Sequence, residues 1–268
     1  MSPLDRARGK NMNAIRRWLA HTPLSTAARY TRAVIQSRQW TEHDQAMFDF
    51  YSQFVAPGQL FFDVGANDGN RTKIGLKLGA RVVAVEPQDA CVRVMRLCYA
   101  NRKNLTLVHQ ALGATDGCAE MMISNVSTLS TLSPDWMTSV KTSGRFNNFQ
   151  WIRKQSVRLT TLDALIGRFG TPAFIKIDVE GYEYEVIKGL TQPVNAMSFE
   201  FTPEHIAPSL LCIKHLQQLG AIEANYSVGE FMELILPEWI SASEMIDMLS
   251  EYAARNRQFG DVYIRFLT

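Results

Sequence analysis

The chain has 268 residues, of which 46% are hydrophobic and 20% charged. That suits one large α/β domain with an appendage and excludes extended disorder, because there is enough apolar surface to offset chain entropy. No uninterrupted apolar stretch approaches the roughly 18 residues of a membrane span, and the basic start MSPLDRARGK has no signal-type apolar block, so a cytoplasmic location is expected. Cys91, Cys98, Cys118 and Cys212 have neither C-x-x-C spacing nor clustered histidines beside them, and single reduced thiols are expected rather than a zinc site or a disulfide framework.

The net charge of +2 is unevenly spread: residues 1–40 hold eight Lys or Arg against one acid, Asp5. Such a segment either meets an anionic surface, a partner or a phosphorylated substrate, or is a solvated helical face. Its aromatics, Trp18, Tyr30 and Trp40, are too few and too separated to signal nucleic-acid binding. Residues 11–20 and 24–36 read as helices that offer a homodimer surface. A third helix starts after the N-cap Thr41, with Glu42 and Asp44 in its first turn, and stops before Pro57-Gly58. Residues 1–55 are therefore expected to be an N-terminal helical extension and 56–268 an α/β domain.

From residue 59 the pattern changes. QLFFDV is a buried strand, GANDGN a turn, and RTKIGLKLG a short helix closed by Gly79. ARVVAVEP is a second strand, 88–101 a helix, and NLTLVHQAL a third strand. This alternation is the signature of a parallel sheet with crossover helices. Residues 120–156 have weak periodicity and read as a long loop, with 130–156 as a lid or insertion. SVRLTTLDALIGRFG begins extended and becomes helical; PAFIKIDVEG is a strand and YEYEVIKGL a helix. NAMSFEF is a fifth strand, SLLCIKHLQQLG a helix, AIEANYSV an extended piece, 241–256 a helix opened by a Ser241–Glu244 capping box, and DVYIRFLT the last strand.

Ligands of open α/β sheets bind beyond the carboxyl ends of the strands. Four such ends carry polar or glycine-rich residues here: Asp63 to Asn70, Glu86, Asp178-Val179-Glu180-Gly181, and Glu200 with His205 beyond it. Glu86 follows the first loop glycine, Gly65, at the distance expected of an acid that accepts ribose hydroxyls. A dinucleotide loop needs G-x-G-x-x-G to seat a pyrophosphate on a helix N-terminus. In this chain Asn67 replaces the middle glycine, and Asp63 and Asp68 flank the loop. That charge repels a diphosphate and suits a cationic cofactor, S-adenosylmethionine (SAM).

FFDVGANDGNRT, VVAVEP, LTLVHQALGATDG, LTTLDALI and FIKIDVEGYEYEVIKGL together resemble the successive blocks of the FkbM-type SAM-dependent methyltransferases, over about residues 59–202. The resemblance implies a Rossmann-like class I methyltransferase fold: a mainly parallel seven-stranded sheet whose antiparallel last strand is DVYIRFLT. It implies SAM as cofactor, S-adenosylhomocysteine (SAH) as product, and O-methylation of a hydroxyl on a sugar, glycolipid or polyketide-like acceptor. Carried onto this chain, Asp63, Gly65, Ala66, Asn67 and Gly69 line the methionine moiety. Glu86 takes the ribose, Pro87 shapes the turn after it, Gln110 and Ala111 lie beside the adenine, and Asp178 sits near the ammonium and the reacting methyl.

A hydroxyl acceptor needs a base, and Asp178, Glu180, Glu200 and His205 are the candidates. Each has a plainer use: Asp178 as a helix cap, Glu180 as a helix-dipole partner, His205 as a loop histidine. Glu200 lies in an apolar strand, where a carboxylate demands a partner, and it is also a candidate for acceptor binding. The three carboxylates could hold Mg²⁺, but no metal-spacing motif is present and no metal is expected. Trp136, Phe146, Phe149 and Trp151, with Lys141 and Arg145, could close over an acceptor, Trp136 and Arg145 being the proposed contacts; the alternative is a loop packed on the core. An NAD-dependent oxidoreductase and a non-catalytic SAM- or nucleotide-binding interaction protein remain the competing readings.

Overall fold

A computed structural model of the chain describes residues 23–145, 148–256 and 258–267. The helix expected over 11–20 and Phe146 lie outside them. Two helices come first, α1 (Pro23–Arg38) and α2 (Glu42–Tyr51). Thr41 and Asp44 close a reciprocal capping box on α2, which satisfies two of the N–H groups that a helix start leaves without partners.

The domain then alternates β1 (Leu60–Val64), α3 (Asn70–Lys77), β2 (Arg81–Val85), α4 (Asp89–Tyr99) and β3 (Leu105–Val108). After an intervening segment come α6 (Leu162–Phe169), β7 (Phe174–Ile177), α7 (Glu183–Ile187), β8 (Ala196–Phe201), α8 (Ile206–Leu219) and β9 (Ile222–Val228). The chain ends with β10 (Ile240–Ser241), α9 (Ala242–Arg255) and β11 (Gly260–Phe266). The main sheet has the order β10-β9-β11-β8-β7-β1-β2-β3. Strands β3, β2, β1, β7 and β8 are parallel, and β11 runs antiparallel between β8 and β9. The seven expected strands are all present, and the two-residue β10 adds a short eighth at the edge.

Period-two burial divides the core. Phe62, Val64, Val83, Val85, Ile175 and Ile177 face one layer of helices. Phe61, Val82, Ala84 and Phe174 face the other, where Met47, Phe50 and Tyr51 of α2 pack with Tyr263.

Two expectations need correction. The third strand does not run unbroken to residue 112: it stops at Val108, and β4 (Ala111–Leu112) joins a second sheet, pairing with β6 (Trp151–Thr160), which pairs in turn with β5 (Gly117–Ser124). The segment 120–156 is not a long loop. It holds most of β5 (Gly117–Ser124), a 3₁₀ turn, α5 (Pro134–Thr142) and the start of β6 (Trp151–Thr160). β5 and β6 pair antiparallel with a register shift at Ile123/Ser124. Their weak sequence signal has a physical cause: the second sheet buries only a small apolar cluster, Ala111, Met121, Ile123 and Val157, so most of its side chains are free to be polar.

Candidate functional site

The site is built at the carboxyl ends of β1, β2, β7 and β8. After Val64 the chain turns across β2: the Gly65 and Ala66 N–H groups donate to the Val85 carbonyl at 2.9 and 3.1 Å. Gly65 has φ +82°, and a Cβ there would collide with the Asp178 carbonyl oxygen, so only glycine lets these two strand ends meet. Asn67 follows at φ 50°, left-handed backbone that costs a non-glycine residue about 1–3 kcal/mol and marks functional loops. Its N–H donates to Glu86 Oε2 at 2.7 Å, and the Gln88 N–H donates to Oε1 at 2.7 Å. Its side-chain oxygen accepts from the Asp68 N–H at 2.8 Å and the Ser127 hydroxyl at 3.2 Å.

Glu86 is 1% exposed, and burial pushes its carboxyl up to about 7 against the two backbone bonds that favour the charged form. Each of its oxygens retains a second lone pair for a ligand hydroxyl. Asp63, at the end of β1, accepts a bond from the Thr72 hydroxyl at 2.5 Å, and burial raises its carboxyl to about 6.

The opposite wall follows β7. Glu180 (φ 56°) and Gly181 (φ 86°) are both left-handed. The Glu183 carboxylate accepts the Val179 and Gly181 N–H groups at 3.1 and 3.2 Å, and the Thr131 hydroxyl donates to the Glu180 carbonyl at 2.6 Å. This reverse turn aims the Glu180 side chain at Glu200 of β8. The carboxylate oxygens of Asp178, Glu180 and Glu200 reach within 4.8 Å of one another. Burial first, and then the charge of Asp178, holds the Glu180 carboxyl well above its usual range; burial and then the charge of Glu180 do the same for Glu200. Hard oxygens at this spacing also have the chemistry of a divalent-cation site.

Between the two walls lies a cavity of about 390 Å³, within the range of small-molecule sites. Asp63, Gly65, Ala66, Asn67, Glu86, Pro87 and Ala111 line one part of it; Asp178, Glu180, Glu200 and Arg145 line the other. Strand order places Glu86 and Glu200 three strands apart, roughly 14 Å, so the cavity has two distinct ends.

Four sequence candidates stand off it. Gly69 (φ 93°) opens α3 and accepts the Tyr99 hydroxyl on its carbonyl at 3.1 Å. Gln110 lies beside the lining residue Ala111 without reaching the cavity. His205 Nδ1 is 3.2 Å from the Ser139 hydroxyl, and burial lowers the pKa of its ring. Trp136 is 0% exposed. Its ring packs under Gly181, where a Cβ would collide with it, and meets Trp151 edge to face at 6.3 Å. It is therefore not an exposed ring poised over the cavity but a support beneath the Glu180–Gly181 turn. Arg145 does reach the cavity, with its Nε 3.3 Å from Glu204.

Sequence reading missed Arg71, Ser127, Met121 and Glu230, all lining residues. Arg71 Nη2 bonds Glu230 at 2.6 Å, and its buried guanidinium also meets the Tyr51 hydroxyl. A guanidinium among the residues lining the cavity fits a carboxylate-bearing ligand. A periodicity signal could not reveal it, since Glu230 lies 159 residues away in sequence.

The profile of the methyltransferase FkbM domain matches residues 63–252. The chain belongs to this family. It is thus a SAM-dependent methyltransferase with a Rossmann-like class I fold, and the nicotinamide and non-catalytic readings give way. No curated protein sequence matches it. Solved structures with similar folds include a precorrin-6y C5,15-methyltransferase from Geobacter metallireducens (10% identity, 83% of this chain and 87% of that chain, TM-score 0.40). Others are an rRNA methylase from Streptococcus thermophilus (11% identity, 82% and 94%, TM-score 0.42) and a Streptococcus mutans protein in complex with SAH (12% identity, 85% and 100%, TM-score 0.40).

The cavity of this FkbM-family methyltransferase fits the cofactor's chemistry. Glu86 offers acceptors for ribose hydroxyls, Ala111 and Met121 an apolar wall for an adenine, Asp63 and Asp178 carboxylates for an ammonium, and Arg71 a donor for a carboxylate. Among the described residues no helix is long and apolar enough to cross a membrane.

Proposed function

We propose that the protein transfers the SAM methyl group to a hydroxyl oxygen of a sugar, glycolipid or polyketide-like small molecule. The observation that carries this reading is the convergence of Asp178, Glu180 and Glu200 at the end of the cavity away from Glu86. Bound SAM supplies an electrophilic methyl on a cationic sulfur that leaves as a neutral thioether. What remains for the chain is to hold a hydroxyl and accept its proton.

Carboxylates accept hydrogen bonds from hydroxyls. A carboxylate whose proton affinity is raised by burial, as at Glu180 and Glu200, takes up a hydroxyl proton more readily than an ordinary one. We assign the base to this pair and not to His205, whose ring is engaged by Ser139. Asp178 faces the methionine end, and Arg145 borders the acceptor end. The acceptor wall also argues against a nucleic acid: its carboxylates repel phosphates, and its cation Arg145 already faces Glu204.

The test is a screen of hydroxylated acceptors with methyl-labelled SAM. Glu200→Gln is expected to lower turnover by roughly 10²–10⁴-fold while SAH affinity, read by calorimetry, stays within a few-fold. Activity is expected to survive chelation of divalent cations. Loss of SAH binding in the variant, or methylation of amines but no hydroxyl, would overturn the assignment.

A further inference from the structure

We propose that Lys176, which does not line the cavity, is a positioning residue that aims the Asp178 carboxylate at the amino-acid end of the cofactor. The inference rests on the SAM site described above. Lys176 is the second-last residue of β7 and is 1% exposed. Its Nζ lies 2.7 Å from Asp261 Oδ1 and 3.3 Å from Asp178 Oδ2. A buried ammonium without partners is strongly disfavoured, and beyond the Ile177 carbonyl at 3.4 Å these two carboxylates are what hold it.

The register explains how one lysine reaches both acids. Lys176 pairs with Ser198 on β8, and Ser198 pairs with Tyr263 on β11. Asp261 lies two residues before Tyr263, hence on the same face of the sheet. Ser198 is a small, fully buried residue and leaves the lysine stem room to run along β8 toward the next row of side chains.

The two acids differ in what they face. Asp261 is buried, with the Tyr263 hydroxyl 3.4 Å from its second oxygen. The Asp178 side chain is 32% exposed and opens on the cavity. Asp261 is therefore the anchor, Lys176 the link and Asp178 the working end. Among the described residues Lys176 is the one cation within 4 Å of the Asp178 carboxylate, and Arg71 adds a weaker, longer-range attraction to it. Glu180 and Glu200 stand close to it, so without Lys176 like-charge repulsion turns the Asp178 carboxylate out of register with the ligand.

The experiment compares two probes by calorimetry: SAH, and 5′-methylthioadenosine, which lacks the amino-acid end. The double variant Lys176→Gln with Asp261→Asn removes the link without leaving the deeply buried Asp261 charged and alone. It is expected to bind SAH at least tenfold more weakly than the parent and methylthioadenosine within twofold. Asp261→Asn alone keeps an amide oxygen in place of Oδ1 to anchor the Lys176 ammonium, so the lysine stays on Asp178 and both affinities are expected to hold within twofold even if the Tm falls. A double variant with parental SAH affinity, or one that loses both probes equally, would overturn the proposal, since the latter is the mark of a merely structural pair. Should the double variant not fold, Lys176→Arg takes its place: unchanged discrimination between the probes supports the charge link, and equal loss of both overturns it. A parent chain that binds methylthioadenosine and SAH not at all would instead overturn the cofactor reading.

Discussion

Asp63 illustrates how a single side chain carries both a loop and a pH dependence. Its carboxyl rises from 3.8 to about 6, chiefly through burial, so the folded chain holds that proton longer than the unfolded one. The contribution of Asp63 to native stability is then fully present below about pH 4 and is lost as pH rises through 6. Asp63→Asn keeps a carbonyl oxygen for the Thr72 hydroxyl but carries no charge. Its stability relative to the parent is expected to climb across that window, by at most about 3 kcal/mol, in urea melts at pH 4 and 7.5. On the proposed role of Asp63 as an acid meeting the cofactor's ammonium, SAH affinity is expected to fall in the same variant. Equal stability differences at both pH values would contradict this account. The strand-end acids were legible in the sequence because a carboxylate closing an apolar run has few uses. Lys176 and Arg71 were not, since their partners Asp261 and Glu230 are brought to them only by the sheet order and a distant loop.

At the scale of elements, the turn after β7 depends on groups from three others: the Glu183 carboxylate of α7, the Thr131 hydroxyl beside β5 and the Trp136 ring of α5. Trp136 sits with Leu129 and Val140 in a small cluster of its own. Trp136→Ala is therefore expected to cost about 3–5 kcal/mol, seen as a fall in Tm of roughly 6–20 °C, with turnover lost because Glu180 drifts. Trp136→Phe should recover most of both. An unchanged Tm with a raised acceptor KM would restore the idea of an aromatic contact to substrate. The sequence showed aromatics mixed with polar residues in this region and read as a long loop or lid. It did not show that they face inward, because a polar loop and a helix resting on a small second sheet have similar composition.

At the scale of the molecule, the family match begins at residue 63, yet the packing begins earlier. Met47, Phe50, Tyr51 and Val55 share a buried cluster with Phe61, Phe174 and Tyr263. Phe54 stacks on Phe174 and Tyr263 at 4.7 and 5.7 Å. We therefore treat α2 as part of the domain's core rather than as a detachable appendage. Each of these side chains contributes roughly 1.5–3 kcal/mol by burial, against a total stability of about 5–15 kcal/mol. A chain starting at residue 56 is expected to lose cooperative thermal unfolding, whereas one starting at residue 23 keeps it, as differential scanning calorimetry would reveal. A cooperative transition in the shorter chain would return α2 to the status of an add-on.

The sequence by itself determined the order of strands and helices in the parallel half, the loop glycines and the acids at the strand ends. These are local consequences: period-two burial, φ > 0 positions and carboxylates that end apolar runs are all written within a few residues. Only the tertiary structure decided that β4 leaves for a second sheet, that Trp136 lies beneath the site and that Lys176 ties Asp178 to the last strand. Those outcomes depend on which distant segments meet, and side-chain contacts made across the sheet leave no period in the chain to be read.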